Sequence, residues 1–346
     1  MKKAFFIILI LVIAIAGIAA WVFLGPATGF HESKKALYIR SDAANKQAVL
    51  DSLKKNNLVS NLSAFEFIAG RMSIWQNIKP GKYEFKKGMS LVSIVRMLKN
   101  GNQTPVNLTI IKLRTKEDLA RFVGNKFETD SAEMMFFLNS ADSLKKYGVD
   151  TQTVMSVIIP DTYTYFWNST PSVLFQKMYD ANKRFWTDER KEKATAHGLT
   201  PVQAYVLASI VEEESNNHAE QGNIASVYLN RMNKGMPLQA DPTIKFALHN
   251  FGLKRIYEKY LLVESPYNTY KNKGLPPGPI CTPSKKTLEA VLDAPQTDYL
   301  YFVANSNFNG THVFSNSYQE HMQNAHLYQQ ALNHADSLRK EKEQAR

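Results

Sequence analysis

Residues 4–24 form an uncharged apolar run directly behind Met1-Lys2-Lys3. A run of that length spans a bilayer as a helix, and no later stretch is long and apolar enough to do the same. It sets the first constraint on the fold, because a spanning helix cannot share a core with water-facing domains. Lys2 and Lys3 precede it, which predicts a cytoplasmic N-terminus and an external location for everything after Leu24. A cleaved signal peptide competes with this reading, since residues 14–20 are rich in small side chains. The length of the run and an interfacial Trp21 favour a retained anchor over residues 1–25. The expectation is a single-pass membrane protein with a large external part.

Roughly 320 residues follow the anchor, enough for two or three domains. Hydrophobic residues make up 44% of the chain, so a core can form. Cys281 is the only cysteine, which excludes an internal disulfide and a thiolate metal site. The eight histidines are scattered and show no H-E-x-x-H spacing, so no metal or other cofactor is expected. The net charge of +11 suits an anionic polymer or a membrane surface. Nucleic acid is the usual alternative, and the external topology argues against it.

The pattern along the chain is mixed α+β. Residues 25–35 read as a short tether. Strand-like residues 36–39, helical 44–55, alternating 81–85 and helical 91–99 give a small strand–helix, strand–helix unit, with Ser90 as a cap and Gly101 as a stop. Residues 106–155 are mixed, with a strand at 106–111 and helical spacing at 116–123 and 131–138. Thr170 and Pro171 open an amphipathic helix over 171–186. Residues 225–232 read as helix, 235–283 as a long loop block, 299–304 as a strand and 317–346 as a polar helix.

The run T-P-V-Q-A-Y-V-L-A-S-I-V-E-E-E-S, residues 200–215, is the richest in chemistry. Thr200 is a good N-cap and Pro201 fits the first helical position. At about 100° per residue, Val202, Val206, Leu207, Ile210 and Val211 cover one arc. Glu214 falls near the centre of that arc, Glu213 at its edge, and Glu212 on the opposite, solvent side. A carboxyl group held against an apolar surface resists ionisation and can serve as an acid near neutral pH. The plainer alternative is a solvated acidic patch. Three acids at a helix C-terminus also oppose the helix dipole, which makes the cluster locally unfavourable.

The loop block carries Gln239, Asp241, Tyr267, Asn268 and Tyr270. Aromatic and amide groups interleaved in this way suit sugars, whose rings offer apolar C–H faces and many hydroxyls. A packed structural loop is the alternative for each residue taken singly.

P-D-T-Y (160–163), I-V-E-E-E-S (210–215), S-V-Y-L-N-R (226–231), L-Q-A-D-P-T (238–243), S-P-Y-N-T-Y (265–270), G-L-P-P-G-P-I (274–280) and Y-L-Y-F-V-A (299–304) occur in one order. In that order and spacing the chain resembles the endolytic murein transglycosylases, the MltG or YceG-like family. The resemblance covers nearly everything after the anchor. It implies a LysM-like module at 36–105, a connecting subdomain at 106–155 and a catalytic domain at 156–346. It also implies a bacterial cytoplasmic-membrane protein whose catalytic part is periplasmic. The family's catalytic glutamate stands directly before a Ser or Thr, which maps onto Glu214 before Ser215.

The implied reaction is lytic cleavage between N-acetylmuramic acid and N-acetylglucosamine, leaving a 1,6-anhydro end, with one glutamate acting as acid and then base. Asp161 and Tyr163, from P-D-T-Y, join Gln239, Asp241, Tyr267, Asn268 and Tyr270 as expected sugar-contact residues. Asp161 and Asp241 also suit turns beside Pro160 and Pro242. The expected partners are peptidoglycan strands, the cytoplasmic membrane and the synthases that polymerise those strands. Two alternatives stay open: a muramidase that uses Asp241 as base, and a non-catalytic peptidoglycan-binding scaffold.

Overall fold

A long apolar helix opens the chain. In the computed structural model, which describes residues 2–253 and 255–344, α1 (Lys2–Leu24) leaves its bulky residues from Phe5 to Ile18 exposed. Water does not tolerate such a surface, whereas a bilayer does. The helix is long and apolar enough to cross one and is compatible with a single-pass anchor. Met1 of the expected anchor, Lys254 of the loop block and residues 345–346 of the expected C-terminal helix lie outside the described residues.

The fold is a helix-rich α+β arrangement. After α1 come β1 (Lys34–Ile39), α2 (Lys46–Lys55), α3 (Leu62–Arg71), β2 (Gly81–Lys86), α4 (Leu91–Asn100) and β3 (Val106–Thr109). Then follow α5 (Lys116–Gly124), α6 (Ser131–Asn139), α7 (Ala141–Lys145), β4 (Thr162–Tyr165), α8 (Pro171–Phe185) and α9 (Asp188–Ala196). The remainder holds α10 (Pro201–Glu214), α11 (His218–Asn233), α12 (Asp241–Ala247), α13 (Glu258–Leu261), α14 (Lys285–Leu292), β5 (Tyr301–Ala304), β6 (His312–Ser315) and α15 (Tyr318–Gln344). The strands form two-stranded sheets, β1 with β2, β3 with β4 and β5 with β6.

The chain divides into two compact units. The first comprises Met1–Leu108, Phe122–Ser131 and Thr164–Leu174. Its β1–β2 ladder is antiparallel and sets Leu37 against Tyr83 on the buried face. Period-two alternation sends Leu37, Ile39, Tyr83 and Phe85 inward, where α2, α3 and α4 cover them. Each such side chain contributes roughly 1.5–3 kcal/mol on burial. Ser90 caps α4 by accepting the Ser93 N–H, and Gly101, at φ 71°, ends it in the left-handed region. The strand–helix, strand–helix expectation omitted α3, which fills the interval between α2 and β2. Residues 25–35 are not a tether. Ala27 and Phe30 are buried in this unit's core, because two apolar side chains so close to the end of α1 gain more from burial than from solvent.

The second unit comprises Thr109–Arg121, Ala132–Tyr163 and Phe175–Arg346. It is built around α10. Thr200 and Gln203 form a capping box, with Pro201 in the first turn. Every residue from Ala204 to Val211 is buried. Over that stretch the helix therefore has no solvent side, since α9, α11, α12 and α14 pack around it. Its buried Ser209 hydroxyl donates to the Val206 carbonyl at 2.7 Å and accepts the Ile280 N–H at 3.0 Å. The β5–β6 hairpin pairs Phe302 with Phe314 and packs against α15 and α11.

Candidate active site

Glu214 is the last residue of α10. The turn that follows is pinned by polar contacts. The Ser215 hydroxyl donates to Glu220 Oε1 at 2.6 Å, and Gln221 donates to the Ser215 carbonyl at 2.9 Å. Glu220 in turn receives the His312 backbone N–H at 2.9 Å. The C-terminal end of α10 is thus held by the start of α11 and by β6.

Helical spacing on α11 then presents Tyr228 and Arg231 on one face. The Tyr228 hydroxyl donates to Glu214 Oε1 at 2.6 Å. Arg231 spends its guanidinium on carbonyl groups, with Nε to Leu300 at 2.7 Å and Nη1 to Leu238 at 2.7 Å, and it lies 5.2 Å from the Tyr301 ring centre. These bonds tie β5 and the segment before α12 to α11. Gln239 sits in the left-handed region at φ 55°, and its N–H donates to the Thr269 carbonyl at 3.1 Å. Asp241, the first residue of α12, accepts the Tyr270 hydroxyl at 2.5 Å.

These elements enclose a pocket of about 310 Å³, lined by Glu214, Tyr228, Arg231, Leu238, Gln239, Asp241, Tyr270, Phe302 and His321. Its size lies at the lower end of small-ligand sites. Burial pushes the Glu214 carboxyl up to about 7, and the negative charge of Asp241 adds to the rise; the Tyr228 hydrogen bond and the charges of Lys245 and Arg231 oppose it. Near neutral pH this carboxyl can both give and take a proton. Burial raises the Tyr228 and Tyr270 hydroxyls well above the ordinary phenol value, so both stay protonated donors. Burial, followed by the charge of Arg231, lowers His321, which keeps the imidazole neutral.

The structure brings Glu214, Gln239, Asp241 and Tyr270 together. It does not bring Asp161, Tyr163, Tyr267 or Asn268 to this pocket. Asp161 is exposed and pairs with Lys285 at 2.6 Å. Tyr163 is buried, with its hydroxyl donating to the Ile159 carbonyl. Tyr267 packs against Phe246, ring centres 4.6 Å apart. Asn268 is fully buried, donates to the Leu261 and Val263 carbonyls and accepts the Tyr270 N–H. It shapes the loop that presents Tyr270, and it is not available to a sugar in this arrangement.

Glu212 corrects the solvent-side expectation. It is half-buried, accepts the Thr287 hydroxyl and the Ser284 N–H, and lies 3.6 Å from Lys112. The helical wheel assigned it to solvent, but α14 occupies that side. Glu213 pairs with Lys112 at 3.1 Å and Arg114 at 2.9 Å.

The model of the YceG-like family matches residues 37–327. The chain belongs to that family. Among YceG-like relatives, the endolytic murein transglycosylase of Bacillus subtilis is 30% identical over 297 residues, spanning 79% of this chain and 79% of that protein. The endolytic murein transglycosylase of Streptococcus pneumoniae is 28% identical over 316 residues, spanning 82% of this chain and 56% of that longer protein. The crystal structure of a yceG-like protein from Listeria monocytogenes is similar with a TM-score of 0.55 and 28% identity, covering 85% of this chain and 99% of that one.

Five pocket residues are absent from the candidates read in the sequence: Tyr228, Arg231, Leu238, Phe302 and His321. The first four lie inside YceG-like motifs quoted above, and the three-residue spacing of Tyr228 and Arg231 is a usable sign of a shared helix face. His321 carries no such sign. Only the packing of α15 on the β5–β6 hairpin brings it to the wall, where its ring stacks on Tyr301 and its buried Nδ1 has no hydrogen-bond partner among the described residues.

Proposed function

We propose that this chain is a membrane-anchored endolytic lytic transglycosylase of peptidoglycan, with Glu214 as its acid and then its base. The observation that carries the reading is a single glutamate, proton-bearing near neutral pH, in the wall of an open pocket and oriented by Tyr228. Membership of the YceG-like family, with relatives named endolytic murein transglycosylases, supports the polymer and the class of reaction.

In the proposed reaction Glu214 gives its proton to the glycosidic oxygen between N-acetylmuramic acid and N-acetylglucosamine. Positive charge develops at the muramic anomeric carbon as the bond breaks. The Glu214 carboxylate then takes the proton of that sugar's 6-hydroxyl, whose oxygen closes onto the anomeric carbon. The ring-closed 1,6-anhydro end forms without water, and Glu214 is again protonated. Tyr270, Gln239 and Asp241 hold the sugar. We assign 36–105 to a LysM-like glycan-binding module, 106–155 to a connecting subdomain and 156–346 to the catalytic domain. With α1 in the cytoplasmic membrane and the rest outside, the substrate would be newly made strands close to the bilayer, beside the synthases that make them.

Asp241 supports a second reading. It is a second carboxylate in the same pocket, and ordinary glycosidases need two. A hydrolase would leave reducing ends. Mass spectrometry of the fragments released from glycan strands separates the two: anhydro ends are expected from the wild type and no fragments from Glu214→Gln. Reducing ends would overturn the lyase reading, and unchanged cleavage by Glu214→Gln would overturn the assignment of the acid.

A further inference from the structure

The first unit leaves no slack between α1 and its own core. Gly25 closes the last turn by donating to the Trp21 carbonyl at 2.9 Å. Two residues later, the Ala27 N–H donates to Met89 at 3.0 Å and its carbonyl accepts the Ser60 N–H at 2.9 Å. Phe23, in the last turn of α1, packs on the core and stacks on Phe67 of α3, ring centres 6.1 Å apart and planes 20° apart. Phe67 is nevertheless 55% exposed. One turn further along α3, the Arg71 guanidinium lies 5.5 Å from the same ring. An exposed aromatic with a cation beside it is therefore fastened to the end of an apolar helix.

We propose that the α3 face carrying Phe67 and Arg71 is a lipid-binding surface, bedded in the headgroup layer of the leaflet where α1 ends. The inference rests on α1 spanning the bilayer. The depth follows from distance. The headgroup region adds roughly 5–8 Å to each side of the hydrocarbon core. Phe67 lies 6.1 Å from a ring on the last turn of α1, so it cannot rise clear of that layer by more than a fraction of its thickness. Aromatic rings are favoured at this depth, and a guanidinium there meets lipid phosphates. Trp21, 70% exposed, marks the same level on α1. The groove beside Phe67, which Lys46, Glu66 and Trp75 also line, could otherwise be read as a sugar cleft. The Phe23 stack favours lipid, because a glycan would have to bind within the headgroups.

The test uses the full-length chain in vesicles of phosphatidylglycerol and phosphatidylethanolamine. Phe67→Cys and, as anchor control, Val12→Cys carry a bimane label. The wild type, whose Cys281 is buried, is the labelling blank. Lipids brominated near the headgroup should dim the label at 67 more than lipids brominated near the chain ends, with the reverse order at 12. Deep quenching at 12 with no lipid quenching at 67 overturns the proposal and leaves the anchor standing. So does protection of position 67 by added glycan strands in place of lipid quenching. Absence of quenching at 12 removes the anchor and the proposal together.

Discussion

Glu214→Gln should stabilise the protein at alkaline pH while removing its activity. Folding raises this carboxyl from 4.5 to about 7, chiefly by burial. The native state therefore holds a proton that the unfolded chain has released between those values. Stability is fully present below pH 4.5, falls as pH rises through the window, and levels off above about 7. A difference of about 2.5 units at 1.36 kcal/mol each puts the cost of the ionised side chain at about 3 kcal/mol. Glutamine is neutral at every pH and keeps an oxygen for the Tyr228 hydroxyl. In thermal melts of the full chain in detergent, wild type and variant should coincide near pH 4.5. By pH 8.5 the variant should melt roughly 6–12 °C higher, at 2–4 °C per kcal/mol for a unit of this size. Glycan cleavage should drop at least about a thousand-fold, the scale expected for loss of a general acid. A melting difference that does not change with pH, or a wild type more stable than the variant at pH 8.5, would refute the idea that burial holds the proton on Glu214.

Tyr228→Phe removes a hydrogen bond that favours the charged form, so the alkaline limb of the pH–rate profile should move up by about one unit; a limb that stays in place would show that Tyr228 does not tune the acid. Asp241→Asn removes a negative neighbour that raises Glu214, so the same limb should move down. Its products should keep anhydro ends, and a switch to complete inactivity with no shift in Glu214 titration would favour Asp241 as a base. Lys112→Met leaves the half-buried Glu213 carboxylate with one cation instead of two and should cost roughly 1–3 kcal/mol in melts. The double variant with Glu213→Gln should recover part of that loss, and no recovery would break the proposed pairing.

Local signals carried much of the fold. The Ser90 cap and the Gly101 stop bracket α4, and the Thr200–Pro201 start of α10 is a full capping box. These features act within one turn, so they can be read from a few residues. Asn61 and Asn217 cap α3 and α11 in the same way, but asparagine serves turns as readily as caps, so α3 is absent from the sequence expectation and α11 begins at His218, well before the apolar residues that suggest it at 225. The placement of Glu214 followed from helical spacing alone, but the wheel assumed that α10 had a wet side. For Glu212 that assumption failed, because α14 comes from a distant part of the chain. Of the loop residues, Gln239, Asp241 and Tyr270 reach the pocket. Asn268 is spent on backbone groups, and composition cannot tell a displayed amide from one that builds a turn.

Three adjacent glutamates at a helix C-terminus face the negative end of the dipole, and α10 handles each in a different way. Glu212 accepts hydrogen bonds from Thr287 and Ser284. Glu213 is disfavoured by burial, yet the Arg114 hydrogen bond and the Lys112 charge hold it below the ordinary carboxyl value. Glu214 is in no ion pair among the described residues and is bonded by a phenol, and it responds by keeping its proton. The two neighbours thus matter to the third. By facing Lys112, Arg114 and α14 they draw the available donors and positive charge to the far side of the helix, and the pocket side is left with too little to ionise its carboxyl. Moving a cation across, for instance with Gln239→Lys, should pull the Glu214 titration down towards 4.5 and weaken cleavage at neutral pH. An unchanged titration, followed by the carboxyl's infrared band, would show that the separation of charge around α10 does not set the acid.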